Sequence, residues 1–374
     1  MIEKALITKL DSDKFAELSP LVAIVIVNYN GAEDTLKCLD SLLALNYDNK
    51  FVIVVDNGSS SPAHDDILTA HPWVVVESSA TNEGWAGGNN IGIRHALAAG
   101  AEYIILLNND TIVSAEMVIR LVDAALGNPE FGIIGPVINE MSNPAQVQTD
   151  GCMFNRPEHA GFFQRKAVPL QRSSLPAVTE VDIVNGCCMM IARQVFERIG
   201  LIDEQFFLVH EESDFCLRAR EHGFRCGVIG ESMVWHKHSA SFVRAGNWRQ
   251  RYYDARNLYL LLRKHPPTSY SRSSVQSWLT YVQHLYYCYC LEREQHSEQG
   301  ARAVVQGFCD ALCGRFGPHV PHTSFIYRLM HGVFELAWLW RGRRAALGIP
   351  PGKELDNSGS KAPRPAAKMN ENEP

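Results

Sequence analysis

From about residue 21 the chain alternates unbroken apolar runs with stretches of helical periodicity. "LVAIVIVNYN" (21–30) is a continuous run rich in β-branched residues, the pattern of a strand buried on both faces. Leu36, Leu39, Leu42 and Leu43 follow at helical spacing. "FVIVVDNGSS" (51–60) predicts a second strand, and "WVVVES" (73–78) and "EYIILLNND" (102–110) two more. Between the last two, Ile91 to Ala99 reads as an Ala-rich helix closed by Gly100. Alternation of this kind predicts an α/β fold with a doubly wound, mainly parallel sheet. Ligands of such sheets bind beyond the carboxyl ends of the strands, where Asn28, Asp56 and Asp110 fall. Residues 131–240 are less regular. From about 247 the pattern is helical through "RQRYYDARNLYLLLRKH", "SWLTYVQHLYYCYCLE", "ARAVVQGFCDALCGRFG" and "SFIYRLMHGVFELAWLWRGRR". The tail from Pro350, rich in Pro, Lys, Asn and Glu, is expected to be disordered.

Composition narrows this only a little. A hydrophobic share of 46% and a charged share of 20% over 374 residues are those of a globular chain, one large domain or a domain with an appendage. A net charge of −6 argues against nucleic acid as a partner. The ten cysteines lack zinc-site spacing, so reduced thiols are expected. "MIEKALITKLDSDKF" has no apolar signal segment, and no run reaches the ~20 apolar residues that span a bilayer. A soluble or peripheral cytoplasmic protein is expected.

Five constellations carry candidate chemistry, and each has a plain structural alternative. Asp56, after a buried strand, can face a nucleotide or close an Asx turn. "NEGWAGGNNIG" (82–92) allows close backbone approach, and the helix start that follows suits a diphosphate, but it matches neither the dinucleotide nor the P-loop pattern. Asn108-Asn109-Asp110 can present a carboxylate to Mg²⁺ or Mn²⁺, or lead into the cap of a following helix. In "HEESDFCLRAREHG" (210–223) one acid can be a general base, or all of them can complement the helix dipole, with Asp214 and Arg218 an ordinary surface pair. In "VWHKHSASF" (234–242) the histidines can be ligands or surface residues.

Taken in order, "VIVNYNG", "VVDNGSSS", "NEGWAGGNN", "LLNNDT", "GCCMMIAR" and "FFLVHEESDFCLRAREHG" resemble glycosyltransferase family 2, above all its rhamnosyltransferase-like and galactofuranosyltransferase-like members. The resemblance runs from about Leu21 to Leu262. It implies a GT-A fold over 21–262, after a short extension (1–20) and before a helical region (263–348) and tail (349–374). It also implies a nucleotide-diphospho-sugar donor, a divalent cation (Mg²⁺ or Mn²⁺) and inversion at the anomeric carbon. Carried over by position, Asn28, Tyr29, Asn30 and Asp56 would line the nucleotide pocket. Asn82, Gly84, Gly88, Asn89 and Asn109 would lie along the donor. Asp110 and His236, the latter in a His-x-x-Ser-x-Ser pattern, would hold the metal. Asn108 departs from the family's Asp-x-Asp motif. Glu212 resembles the catalytic base and Asp214 a structural acid behind it. Glu211, Asn185 and Gly186 would face the acceptor, and Arg256 would reach the diphosphate. A single in-line displacement needs one carboxylate behind the acceptor hydroxyl, and a Glu with an ordinary pKa of about 4.3 is already ionised at neutral pH.

The resemblance implies dTDP-rhamnose as donor and a cell-surface glycan or lipid-linked saccharide as acceptor. Two other classes compete. A sugar-1-phosphate nucleotidyltransferase should carry a basic residue in the first turn, but "NYNGAEDT" has none. An inactive binding homologue should have lost the base or the metal ligands, yet Glu212, Asp110 and His236 are all present. Residues 324–344 place Ile326, Leu329, Met330, Val333, Ala337 and Trp340 on one helical face, with Arg341, Arg343 and Arg344 after it. Such a face can lie on an anionic membrane, on the inner face of the cytoplasmic membrane, or pack on the rest of the chain.

Overall fold

The computed structural model describes residues 19–159, 161–170, 177–237, 248–269, 271–322 and 324–346. The expected terminal extension up to residue 18, the tail from 347 and the two serines of the His-x-x-Ser-x-Ser pattern lie outside them. The first half alternates strands and helices: β1 (Val22–Asn28), α1 (Ala32–Leu42), β2 (Lys50–Asn57), α2 (His64–Ala70), β3 (Val75–Ser79), α3 (Gly84–Ala98) and β4 (Tyr103–Asn108). After β5 (Thr111–Val113), α4 (Met117–Gly127) and β6 (Phe131–Glu140) come four short strands. These are β7 (Val147–Thr149), β8 (Cys152–Phe154), β9 (Phe163–Arg165) and β10 (Val178–Val181). Then follow β11 (Cys188–Ala192), α5 (Arg193–Ile199), α6 (Glu211–Glu221) and β12 (Arg225–His236). Four helices close the described chain: α7 (Trp248–Lys264), α8 (Ser274–Glu294), α9 (Glu298–Leu312) and α10 (Phe325–Ala346).

The main path of the large sheet runs β10-β12-β6-β11-β4-β1-β2-β3. Strands β3, β2, β1 and β4 are parallel, as their continuous apolar runs predict. Alternate residues of each serve opposite faces. Ala23, Val25, Ile53, Val55, Ile104 and Leu106 pack with α3, α5, α6 and the C-terminal helices. Val22, Ile24, Ile26, Val52, Val54, Ile105 and Leu107 pack against α1, α2 and α4. The irregular middle section completes the sheet differently. Strand β11 enters antiparallel between β4 and β6, and β6 pairs in parallel with β12. The sheet is therefore mixed. A strand buried on both faces has the same apolar pattern whichever way it runs.

The C-terminal helices share the sheet's core: Leu258, Tyr281, Val304, Phe308 and Phe334 belong to one cluster with Val25 and Leu106. Helix α10 divides the apolar face read from the sequence, turning Met330 inward and most of the rest outward. Phe334 is buried, and Tyr327, Met330 and Trp338 pack on the core beside it. Ile326, Leu329, Val333 and Trp340 point outward. The buried stripe follows the aromatics, which remove the largest area from water. Among the described residues no helix is long and apolar enough to cross a membrane. All ten cysteines are free, as expected.

Candidate active site

Strands β1, β2 and β4 end side by side, with Asn28 opposite Asp56 and Val27 opposite Asn108. Asn28 is fully buried; its Nδ2 donates to Asp56 Oδ1 (3.0 Å), and its Oδ1 accepts from Gly31 N–H and Thr35 Oγ1. Asp56 also accepts from Ser59 Oγ (2.5 Å) and from the Ala63 N–H just before α2. Both of its oxygens thus shape the loop, the local role open to an Asp at a strand end. Asn30, at φ +52°, accepts from Ser60, and Tyr29 stands exposed beside it. Asn109 Nδ2 is tied to Thr35 Oγ1 (3.0 Å).

Asp110 does not lead into a helix. The next element is β5, which pairs with β12, so the cap reading fails. That pairing brings the end of β12 against the β4–β5 turn. His236 Nε2 lies 3.0 Å from Asp110 Oδ1, both side chains nearly buried. His236 Nδ1 donates to Gln148 Oε1 (3.1 Å). A carboxylate oxygen and an imidazole nitrogen brought together in this way could hold a cation between them, and an O/N pair beside substrate phosphates would suit Mg²⁺ or Mn²⁺.

The glycine-rich segment has a different reason from the expected one. The N–H groups that open α3 are used within the protein. Asn57 Oδ1 accepts from Glu83, Asn82 Oδ1 from Gly84, and the Phe207 carbonyl from Trp85 and Ala86. A diphosphate therefore finds no free helix N-terminus here. Gly84, at φ +71°, lets Phe207 O approach to where a Cβ would stand, 2.1 Å away. Gly88 lies against Val27 in the same way, and Asn89 Nδ2 donates to the Trp85 carbonyl.

What the segment delivers is Trp85, which the motif reading passed over. Its Nε1 donates to Asn108 Oδ1 (3.1 Å), and Asn108 Nδ2 lies 3.4 Å from His236 Nε2. On its other side sits Gly186, whose missing Cβ would lie 3.2 Å from Trp85 and 3.3 Å from Glu212. Asn185 Oδ1 accepts from Cys187 N–H and shapes the same turn. Asp110 with His236, Trp85, Gly186 and Glu212 thus form one continuous wall.

Glu211 and Glu212 open α6. Burial raises both pKa values, and for Glu211 the neighbouring Glu212 carboxylate adds to the rise; nearby His210 opposes it at Glu212. Glu212 is thus not the unperturbed acid the sequence suggests. Glu211 is 5% exposed, and its buried Oε2 lacks a hydrogen-bond partner. Asp214 is no surface partner of Arg218 either, being fully buried. It accepts from Arg218 Nε (2.8 Å), Lys264 Nζ (2.8 Å) and His265 Nε2 (3.0 Å). Burial pushes its pKa up, but these partners hold it down to about 2.

Arg256 does not reach the pocket. It is 1% exposed, and its guanidinium donates to the carbonyls of Gln205, Phe206 and Gly317 and to Asn257 Oδ1. Asn257 Nδ2 meets the carbonyls of Phe206, Leu208 and Val209, each at 2.8 Å. The pair of α7 residues holds the segment that leads into α6. A separate groove of about 450 Å³ lies on the β8–β9 hairpin, but its Arg156 and Arg165 are paired with Asp182 and Asp150.

Residues 23–200 match the model of glycosyl transferase family 2. The low-salt glycan biosynthesis hexosyltransferase Agl10 of Haloferax volcanii is 32% identical over 246 residues, 64% of this chain and 74% of that protein. The dTDP-rhamnosyl transferase RfbF of Shigella flexneri is 29% identical over 248 residues, 64% of this chain and 79% of that one. Among solved structures, the mannosyltransferase PcManGT of Pyrobaculum calidifontis, in complex with GDP-Man and Mn²⁺, is similar with a TM-score of 0.45. It is 15% identical and covers 88% of this chain and 84% of its own.

Asp214→Ala should lower unfolding stability by about 3 kcal/mol, because Arg218, Lys264 and the His265 ring lose their buried partner. The folded pKa is depressed, so the stabilisation is fully present above the unfolded value of 3.8 and fades as pH falls toward about 2. Urea unfolding of both proteins at neutral pH and at stepped acid pH measures the gap and its closure.

Proposed function

The chain belongs to glycosyltransferase family 2 and is a glycosyltransferase, and from that premise we propose that it is an inverting, metal-dependent transferase with Glu212 as its base. The proposed donor is dTDP-rhamnose, and the acceptor a hydroxyl of a glycan or lipid-linked saccharide in cell-surface polysaccharide synthesis. The observation that carries this reading is the 3.0 Å meeting of Asp110 and His236, joined through Asn108, Trp85 and Gly186 to Glu212. The rhamnose assignment is supported by the name of the Shigella flexneri relative; the Haloferax volcanii relative supports the broader class of hexosyl transfer.

In this reading Glu212 accepts the proton of the acceptor hydroxyl while its oxygen attacks the anomeric carbon from the side opposite the leaving group. Asp110 and His236 would hold a divalent cation, whose chemistry would be neutralisation of the charge growing on the diphosphate. Trp85 and Gly186 form the floor between the two, where the donor sugar would sit. The half-buried Glu212 has a raised pKa, which makes its carboxylate a better proton acceptor than a free one. The exposed Ile326, Leu329, Val333 and Trp340 of α10 support peripheral membrane contact, because the face left outside the core is apolar. Flotation with anionic liposomes that is lost in Leu329→Glu/Trp340→Glu is the expected result, and a protein that stays in solution counts against it.

Two outcomes test the site. A thermal-shift screen should find stabilisation by dTDP or UDP that needs Mn²⁺ or Mg²⁺ and is lost in Asp110→Ala but kept in Glu212→Ala. No shift with any nucleotide would sink the donor site. Glu212 works only when deprotonated, so kcat/KM should fall as pH drops through a pKa above the ordinary glutamate value of about 4.3. A pH profile flat down to pH 4.5, or a Glu212→Gln variant with undiminished turnover, would remove Glu212 from the role.

A further inference from the structure

The residue just before Glu211 is His210, and its backbone is left-handed (φ +73°, ψ 3°). Phe207 and Val209 are also at positive φ, +62° and +71°. Glycine or asparagine would adopt this conformation more cheaply, so an imidazole at position 210 needs a reason in what its ring does. The ring stacks on Phe163 at 5.0 Å and 7° between planes. Its Nε2 meets Asp254 Oδ1 at 2.9 Å, and Asp254 Oδ2 meets His284 Nε2 at 2.8 Å. The His210 carbonyl accepts from Asp214 N–H and so starts α6. A side-chain relay from α8 through α7 thereby fixes the residue from which the helix bearing Glu212 departs.

Resting on the reading of Glu212 as base, we propose that His210 is a positioning residue, held through Asp254 by His284, that sets the place of Glu212. The charges around the relay agree with this. Despite burial, His284 and His210 hold the Asp254 carboxyl far below the usual range, while Asp254 pushes His284 well up. The relay's inner end is thus an ion pair with its second carboxylate oxygen left for His210. The Cys288 thiol lies 3.6 Å from His284 Nε2. Arg251, on the same helix as Asp254, faces Asp254 and Cys288 and is neutralised by Glu292 at 2.7 Å. Tyr281 also feels Asp254. On the far side, the charge of His210 acts on Glu212 and opposes its desolvation.

Asp254, His284 and Cys288 could together hold a metal ion, since their ligand atoms lie within 4.8 Å of one another. The hydrogen-bond reading fits better. A nitrogen–oxygen separation of 2.8 Å is that of a shared proton, whereas two ligands of one tetrahedral zinc sit roughly 3.3 Å apart for bonds of about 2.0 Å. The guanidinium of Arg251 is also an unfavourable neighbour for a cation.

The test uses the full-length enzyme with its donor and Mn²⁺. His210→Asn keeps a residue tolerant of the left-handed backbone but takes the ring from Asp254; Asp254→Asn removes the charge in place. Both should lower kcat about 30-fold, leave the donor KM within about 2-fold, keep the nucleotide-dependent thermal shift, and move the acid limb of the pH profile upward. His284→Gln, which can still donate to Asp254, should recover most of the rate that His284→Leu loses. Unchanged kcat with the acid limb in place in both His210→Asn and Asp254→Asn overturns the proposal, as does parallel loss of kcat and nucleotide binding. One equivalent of zinc in the purified protein, lost in Cys288→Ser, also overturns it, because His284 would then be a ligand. Full activity of Glu212→Gln marks the failure of the base assignment itself, which is distinguishable from an inert His210.

Discussion

The carbonyl groups of Gln205 to Val209 are the constraint around which this site is organised. The segment has no strand to pair with and two non-glycine residues at positive φ, Phe207 and Val209, so its backbone acceptors must be met by side chains. Arg256 and Asn257, nearly or fully buried on α7, meet four of those carbonyls. The one they leave, on Phe207, receives the first amides of α3. One short segment is thus gripped from two sides, and it positions both wings of the pocket: Trp85 on α3, and Glu211 and Glu212 on α6. A helix C-terminal to the matched region becomes part of the site without touching a substrate.

Electrostatics divides the pocket in two. At the strand ends, the Asp110 carboxylate and the His236 imidazole meet at 3.0 Å, both nearly buried. At the start of α6, burial raises the pKa of two adjacent carboxyls, and the Glu212 carboxylate adds to the rise at Glu211. Directly behind them Asp214 is the opposite case, fully buried yet held ionised by hydrogen bonds from Arg218, Lys264 and His265. The same residue type is held charged or pressed toward neutrality according to the company it keeps, and the transition occurs within one turn of helix.

Much of this was legible from residue patterns. The run of β-branched residues from Val22 announced a strand covered on both faces, and the parallel alternation announced that the three strands ending in Asn and Asp residues would end side by side. The pairing of Asp110 with His236 was legible only through the family resemblance, since nothing in spacing brings the end of β12 to the β4–β5 turn. Other assignments failed for physical reasons. Arg256 looked like a phosphate ligand because an arginine on a polar helix carries no sign of the carbonyls it will meet. The glycines before Asn89 looked like a phosphate cradle, when what they permit is contact of α3 with Phe207 and Val27. His210 attracted no attention because its partners, Asp254 and His284, lie in the helical region, and contacts between distant segments leave no periodicity to read.

The account rests most directly on where the cation and the diphosphate sit. Anomalous diffraction from crystals grown with Mn²⁺ and a nucleoside diphosphate would locate both. The account predicts a manganese peak bonded to Asp110 and His236, with the diphosphate on the side of Trp85 and Gly186 and the carboxylate of Glu212 facing the place of the sugar. A manganese peak at Asp254, His284 and Cys288, or a diphosphate bound away from Trp85, would contradict it.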